Sequence, residues 1–441
     1  MARKSQTPAP VLPRYPRYKD SGVEWLGEMP EHWEVEKGKW LFEKMDRPIR
    51  PEDDVVTAFR DGQVTLRTNR RTEGFTNAIK EHGYQGIRKG DLVIHAMDAF
   101  AGAIGVSESD GKSTPVYSAC VPRGDGTVNP FFYAYLLRHM AHGGYITTLA
   151  KGIRERSTDF RYNDFGGLEL PFPPLPEQDR IVAFLDEKTT QIDTLIAKKR
   201  RQIELLDEHK AILINRMVTK GLNPNAELKD SGIEWIGRIP KHWDVKSAKH
   251  VCDRIIDCKN RTPEVIPDGG YYVLRTSNVK KGRLVDDEIT RTDLKHFEIW
   301  TERGAPQKND VLFTREAPAG EACIFDGSIP ACLGQRMMYF RTDPTQLLPQ
   351  FLVHTIYQGP SATYIVLKTN GSTVGHLRLP QVYALPILLP PVEEQAAILA
   401  MIAATEETER RLIQTVETQI QSLNSLRSTL IAHVVTGRIK I

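Results

Sequence analysis

The chain has 441 residues, more than one ordinary core organises, so two or three domains are expected. Hydrophobic residues make up 40% and charged residues 26%, a globular composition, and no apolar run approaches the ~20 residues of a membrane span. A net charge of +3 permits nucleic-acid binding through local patches without demanding it, and five cysteines, an odd number in a long chain, speak for reduced thiols and a cytoplasmic protein over a disulfide framework.

Residues 1–17 are basic and proline-rich with no apolar segment behind them, so a disordered lead-in is expected, not a secretory signal. A marker follows, KDSGVEWLGEMPEHWEV from Lys19 to Val35, and it returns as KDSGIEWIGRIPKHWDV from Lys229 to Val245, with eleven of seventeen positions identical. Two further markers repeat at an offset of 217 residues: PPLPEQ (Pro173–Gln178) with PPVEEQ (Pro390–Gln395), and MVTKG (Met217–Gly221) with VVTGR (Val434–Arg438). The layout is module (18–175), spacer (176–221), module (222–390), then a second spacer with a C-terminal tail (391–441). The stretches inside the two modules diverge and the spacers match in length.

Within the modules, strands are expected at Val64–Arg67, Leu92–His95, Tyr271–Arg275 and Val311–Thr314, and helices at Phe131–Met140 and Gln350–Tyr357. Asn129 followed by Pro130 reads as a helix cap. Each module is therefore α+β. Between Glu177 and Thr219 there is neither Pro nor Gly, and apolar residues recur in steps of mostly three and four at Ile181, Leu185, Ile192, Leu195, Ile203, Leu206, Leu213 and Met217. The second spacer repeats the pattern at Ile398, Ile402, Leu412, Val416, Ile420, Leu423, Leu430 and Val434. Each is expected to be a helix of about 65 Å. A single apolar stripe must be buried, and the simplest partner is the other spacer, packed antiparallel as a coiled coil with a pseudo-two-fold repeat.

Basic and small polar residues cluster between the expected elements. In the first module these are Arg67, Thr68, Asn69, Arg70 and Arg71, then Lys151, Arg154, Arg156 and Arg161. In the second they are Arg275, Thr276, Ser277, Asn278, Lys280, Lys281 and Arg283, then Lys368, Thr369, Asn370 and Ser372. Arg and Lys neutralise phosphates, and Arg and Asn can bond bidentately to base edges in the major groove. For any one of these residues, a solvated surface position is as reasonable a reading as a base contact.

Catalytic patterns fail on spacing. Gly105–Ser113 places five residues between glycines where a phosphate-binding loop needs four. Asn129–Phe132 lacks the second proline of an amino-methyltransferase element. Asp268, Asp293 and Lys295 make only a loose nuclease-like set. Cys252, Cys258, Cys323 and Cys332 lack zinc-knuckle spacing. No catalytic or metal-binding residue is expected.

The three repeated markers, with GDLVIHAMDAFAGAIG (Gly90–Gly105), REAPAG (Arg315–Gly320) and GQRMMYF (Gly334–Phe340), resemble the specificity subunits of type I restriction–modification enzymes over nearly the whole chain from about Tyr18. The resemblance implies a prokaryotic protein without catalysis of its own, with two target-recognition domains that each read one half of a split double-stranded DNA site. It implies helices that set the gap between half-sites and help dock two methylation subunits, joined by two restriction subunits. S-adenosylmethionine, ATP and Mg are then expected on those partners.

Overall fold

The computed structural model describes residues 13–70, 82–124, 126–149, 159–285, 289–369 and 375–441. The chain divides into two compact units, Met1–Lys199 with Glu417–Ile441, and Arg200–Val416. Each unit thus comprises one of the modules read from the sequence together with one end of each long helix. Among the described residues no helix is long and apolar enough to cross a membrane.

The repeated marker folds the same way in both units because its glycines demand it. In the first unit Tyr18–Asp20 pairs antiparallel with Glu28–Pro30. Asp20 Oδ1 accepts from Gly22 N at 3.0 Å, and Gly22 and Gly27 sit at φ +72° and +68°, where a β-carbon is disfavoured. In the second unit Leu228–Asp230 pairs with Arg238–Pro240, with Asp230 bonded to Gly232 N at 2.9 Å. The marker's second tryptophan, Trp33 or Trp243, is fully buried in its unit's core.

The divergent stretches share one topology. In the first unit the antiparallel sheet runs Phe42–Met45, Tyr117–Pro122, Leu92–His95, Ile104–Val106. In the second it runs Cys252–Asp257, Met337–Thr342, Val311–Thr314, Ala322–Ile324, the same order. A short pair closes each module, Glu34–Lys37 with Glu169–Phe172 and Asp244–Ser247 with Pro386–Leu389. Helix Pro130–His142 covers the first sheet and Pro349–Gln358 the second. Asn129 caps the former as expected, its side chain accepting from Phe131 N at 2.9 Å. The cores are aromatic: Trp33 meets Phe132 edge-on at 6.4 Å and Phe42 meets Tyr133 at 5.3 Å, while Phe313 meets Phe340 at 5.4 Å in the second unit.

The long helices span Leu175–Lys220 and Val392–Val435. Proline precedes each, and each ends on a left-handed glycine, Gly221 (φ +72°) and Gly437 (φ +73°). In the first unit, Ile181 and Leu185 share a core with Val434 and Val435, and Asp193 pairs with Arg427 at 3.3 Å. Rising numbers on one helix meet falling numbers on the other, so the two segments run antiparallel there. In the second unit, Ile214, Met217 and Val218 share a core with Ile398 and Ile402, and His209 contacts the buried Glu409 at 3.1 Å, again antiparallel.

The seam differs from expectation at two places. Ile181, Leu185, Ile192, Ile398, Ile402 and Val416 are buried, and Ile203, Leu206, Ile420 and Leu423 are half-buried. Leu195 and Leu412 are instead 47% and 48% exposed; Ile196 is buried and Ile413 half-buried in their stead. Each exposed leucine precedes an apolar neighbour 100° further round the helix, and the four-residue steps Ile192→Ile196 and Glu409→Ile413 carry the seam past it.

Candidate nucleic-acid interface

In the first unit the strand expected at Val64–Arg67 stops at Leu66, and Arg67–Asn69 form one 3-10 turn. Thr68, Asn69 and Arg70 are exposed. Asn69 Nδ2 donates to Thr65 Oγ1 at 2.8 Å and Arg67 Nε to Thr57 Oγ1 at 3.3 Å. Arg70 pairs with Asp61 at 2.7 Å and lies 4.3 Å over the Phe59 ring. Arg161 is exposed and held by Asp159 at 2.7 Å. Arg71, Lys151, Arg154 and Arg156 lie outside the described residues.

The turn at 67–70 neighbours a polar group that the sequence reading did not single out. Arg60 Nη2 donates to Asp98 at 2.8 Å, Asp98 N donates to His95 Nδ1 at 3.0 Å, and the His95 ring stands edge-on to Tyr117 at 4.5 Å. Burial holds His95 below the ordinary imidazole range although Asp98 pulls the other way. Burial raises the Tyr117 hydroxyl to about 12, while Arg67 nearby lowers it.

In the second unit Arg275, Ser277, Lys280, Lys281 and Arg283 are exposed around a turn and hairpin. Asn278, expected as a base-reading candidate, is fully buried: its Oδ1 accepts from Arg275 N at 2.9 Å and its Nδ2 donates to Val285 O at 3.4 Å. Its amide holds the turn's shape and is withdrawn from any groove. Lys281 takes a left-handed conformation (φ +49°) with its N–H on Glu321 at 2.6 Å. Lys368 is exposed, its ammonium 5.6 Å over Tyr364, and Thr369 Oγ1 bonds Ile365 O. Asn370 and Ser372 lie outside the described residues.

Here too the loop after the central strand carries unpredicted polar side chains. Arg315 lies 3.1 Å from Asp257 with both side chains about nine-tenths buried, and reaches Asn260 at 3.4 Å. The Nε–carboxylate approach is close without hydrogen-bond alignment. Burial raises the Asp257 carboxyl, and Arg315 only partly offsets it. Beside this pair, Glu316 is held by Arg336 at 3.2 Å and by His376 at 3.3 Å.

These loops correspond between units. Phe160 N donates to Ala96 O at 3.1 Å in the first, and Leu377 N to Arg315 O at 2.9 Å in the second. Both modules thus gather Arg, His and carboxylate side chains at the end of a central strand, with different residues in each. The weak echo between MDAFAG and REAPAG was the available sequence signal, but it could not show which charges meet.

The catalytic near misses have structural employment. Residues of the glycine-spaced segment form strands Ile104–Val106 and Gly111–Ser113. Asp293 caps helix Leu294–Trp300 by accepting from His296 N at 2.9 Å. The cysteines are unpaired, and burial raises the thiols of Cys120, Cys252, Cys323 and Cys332 to about 12. No metal-holding cluster is present among the described residues.

Comparison with known proteins places this architecture. Residues 240–421 match the family described as the type I restriction modification DNA specificity domain. A Methanocaldococcus jannaschii protein, named provisionally as the type I restriction enzyme MjaX specificity subunit, is 23% identical over 94% of this chain and 96% of its own length. The type I restriction enzyme EcoKI specificity subunit of Escherichia coli is 22% identical over 94% of this chain and 90% of its own. Among solved structures, a chain from work on assembly and conformational transition of the type I R-M system superposes with a TM-score of 0.65 at 16% identity, covering 92% of this chain and 98% of that one. The HsdS subunit from Thermoanaerobacter tengcongensis gives 0.50 at 16% identity, covering 93% and 98%. Residues 240–421 are thus similar to the type I restriction modification DNA specificity domain, and nearly the whole chain is similar to type I restriction enzyme specificity subunits.

Proposed function

We propose that this chain confers sequence specificity on a type I restriction–modification complex and performs no chemistry itself. Each module reads one half of a bipartite, asymmetric DNA site. The long helices lie side by side as an antiparallel coiled coil, set the gap between half-sites and dock two methylation subunits; two restriction subunits complete the assembly. S-adenosylmethionine belongs to the methylation subunits and ATP to the restriction subunits, with Mg also held by these partners.

The observation that carries this reading is the pairing of one sheet order with two unlike polar loop sets. A shared scaffold with different Arg, His and carboxylate side chains is what two readers of different bases require, because base edges are distinguished by donor and acceptor placement. Helices of 46 and 44 residues, about 65–70 Å each, match roughly two turns of B-DNA at ~34 Å per turn.

The test exchanges residues 36–172 for the first module of a relative with different specificity and sequences the host's methylated sites. One half-site is expected to change while the other half and the gap persist. Changes in both halves would defeat modular reading. Methylation or cleavage of DNA by the purified chain alone would defeat the non-catalytic assignment.

A further inference from the structure

The three repeated markers converge in space, once in each unit. In the first unit Gln178, fully buried, opens the first long helix: its Oε1 accepts from Asn129 N at 2.8 Å and its Nε2 donates to Pro173 O at 2.8 Å and Thr127 O at 3.1 Å. Asn129 is itself the cap of helix Pro130–His142 and also donates to Asp179 at 2.8 Å. The neighbouring Glu177 accepts from Tyr15 OH and contacts His32 Nε2 at 2.9 Å. The end of the other long helix arrives at the same place, where a β-carbon on Gly437 would come within 3.0 Å of Trp33.

The second unit repeats the glutamine's three bonds. Gln395, fully buried, accepts from Leu348 N at 2.9 Å and donates to Pro390 O at 2.9 Å and Gln346 O at 2.7 Å, just ahead of helix Pro349–Gln358. Glu394 takes His242 Nε2 at 2.7 Å and Trp243 Nε1 at 3.0 Å. A β-carbon on Gly221 would come within 3.2 Å of Trp243.

We propose that these nodes are joints that fix the heading of each recognition module on its long helix, with Gln178 and Gln395 as positioning residues for the gap between half-sites. The inference rests on the two-half-site reading above. A primary amide suits the task because its acceptor and both donors lie in one plane, so one side chain locks two chain segments in a single orientation. Its partners belong to two stretches: the proline just ahead of the long helix and the chain leading into the module's helix. Burial without these bonds would hold the same parts loosely and leave buried carbonyls and N–H groups unpaired. The units differ in their polar loops, whereas the glutamine's three bonds recur in both, so heading is what the two copies hold in common. The 217-residue offset that relates the glutamines also relates the helix-end markers, so both rods are equal when measured from joint to marker.

The test uses the full chain assembled with its methylation subunits and DNA substrates bearing constant half-sites with gaps varied in one-base-pair steps. For Gln178→Met and Gln395→Met, selectivity for the preferred gap over its neighbours is expected to fall about tenfold, since small misplacements cost orders of magnitude in rate. The bases read in both half-sites should stay the same. Gln178→Glu, which keeps the acceptor and loses the donors, should fall between. Unchanged gap selectivity in a folded variant overturns the proposal. So does relaxed base reading in one half-site with the gap preference intact, which would make the glutamine a support of its module alone. If none of the three variants folds, judged by circular dichroism, the residues serve stability and the proposal fails as well. A wild-type complex with no gap preference would instead refute the two-half-site reading.

Discussion

If the long helices set the gap between half-sites, shortening them should shorten it by a calculable amount. Asp193–Arg427 and His209–Glu409 bracket the middle of the two helices, 16 residues apart on the first and 18 on the second. Deleting Arg200–Leu206 together with Ile413–Gln419 removes seven residues from each helix between these anchors. Seven residues turn the helix about 700°, some 20° short of two full turns, so the faces return to register and the seam can re-form. The rise lost is about 10.5 Å at 1.5 Å per residue. At about 3.4 Å per base pair the preferred gap should shrink by about three base pairs. The seam residues lost, Ile203, Leu206, Ile413 and Val416, are half-buried except for Val416, so the cost in stability should be modest. Methylation rates of the assembled complex on substrates differing by single base pairs in the gap would measure the shift. An unchanged optimum in a folded double deletion would refute the helices' measuring role. Deleting from one helix alone should abolish gap-selective methylation, because two helical turns of seam would lose their partners.

Other outcomes follow from particular contacts. Phe132→Ala, which removes a ring packed on Trp33 and Tyr133, should cost about 3–5 kcal/mol in denaturant unfolding. Arg336→Ala, which frees Glu316 from one of its two holders, should relax base preference by about 1–3 kcal/mol at one position of a single half-site. Arg70→Ala should weaken DNA binding uniformly and lower the salt slope by about one, as loss of a phosphate contact does; altered base preference would contradict this. Acid should destabilise the first unit. Burial, then Arg438, His142 and His433, hold His139 below its ordinary range, and burial with Arg138 and Arg427 does the same for His142. The unfolded chain therefore binds protons near pH 6.5 that the folded one refuses, so stability is full above about pH 7 and falls as pH drops through that value. Melting at pH 7.5 and 5.5 should show the loss, His139→Gln should reduce it, and equal losses would refute the assignment. A chain ending after Gly221 leaves Ile181, Leu185, Ile214 and Met217 without the residues of the second long helix that share their cores, and should self-associate in sedimentation experiments.

Much of the fold was legible because it obeys local rules. Strands Leu92–His95 and Val311–Thr314 lie where alternation and turn residues place them, and Asn129–Pro130 starts a helix as a cap and a proline should. The misreadings share a cause. Leu195 and Leu412 each precede a second apolar residue, so two seams 100° apart satisfy the same spacing and only the partner helix decides between them. Arg67 leaves its strand for a turn. Asn278 has the residue type of a base reader, yet its amide is consumed by Arg275 N and Val285 O.

The candidate interface was less legible than the frame. Arg60 and Asp98 are 38 residues apart, Asp257 and Arg315 are 58, and Glu316 and His376 are 60, so no local pattern announces their meeting. The sequence by itself determined the duplication, the lengths of the helices and their boundaries, because repeats, helical period, prolines and glycines act over a few residues. Tertiary structure alone decided that Gln178 and Gln395 each tie a helix start to a module, and that the two modules share a strand order. Those facts depend on long-range closure of the chain, where a side chain's role is set by what arrives beside it.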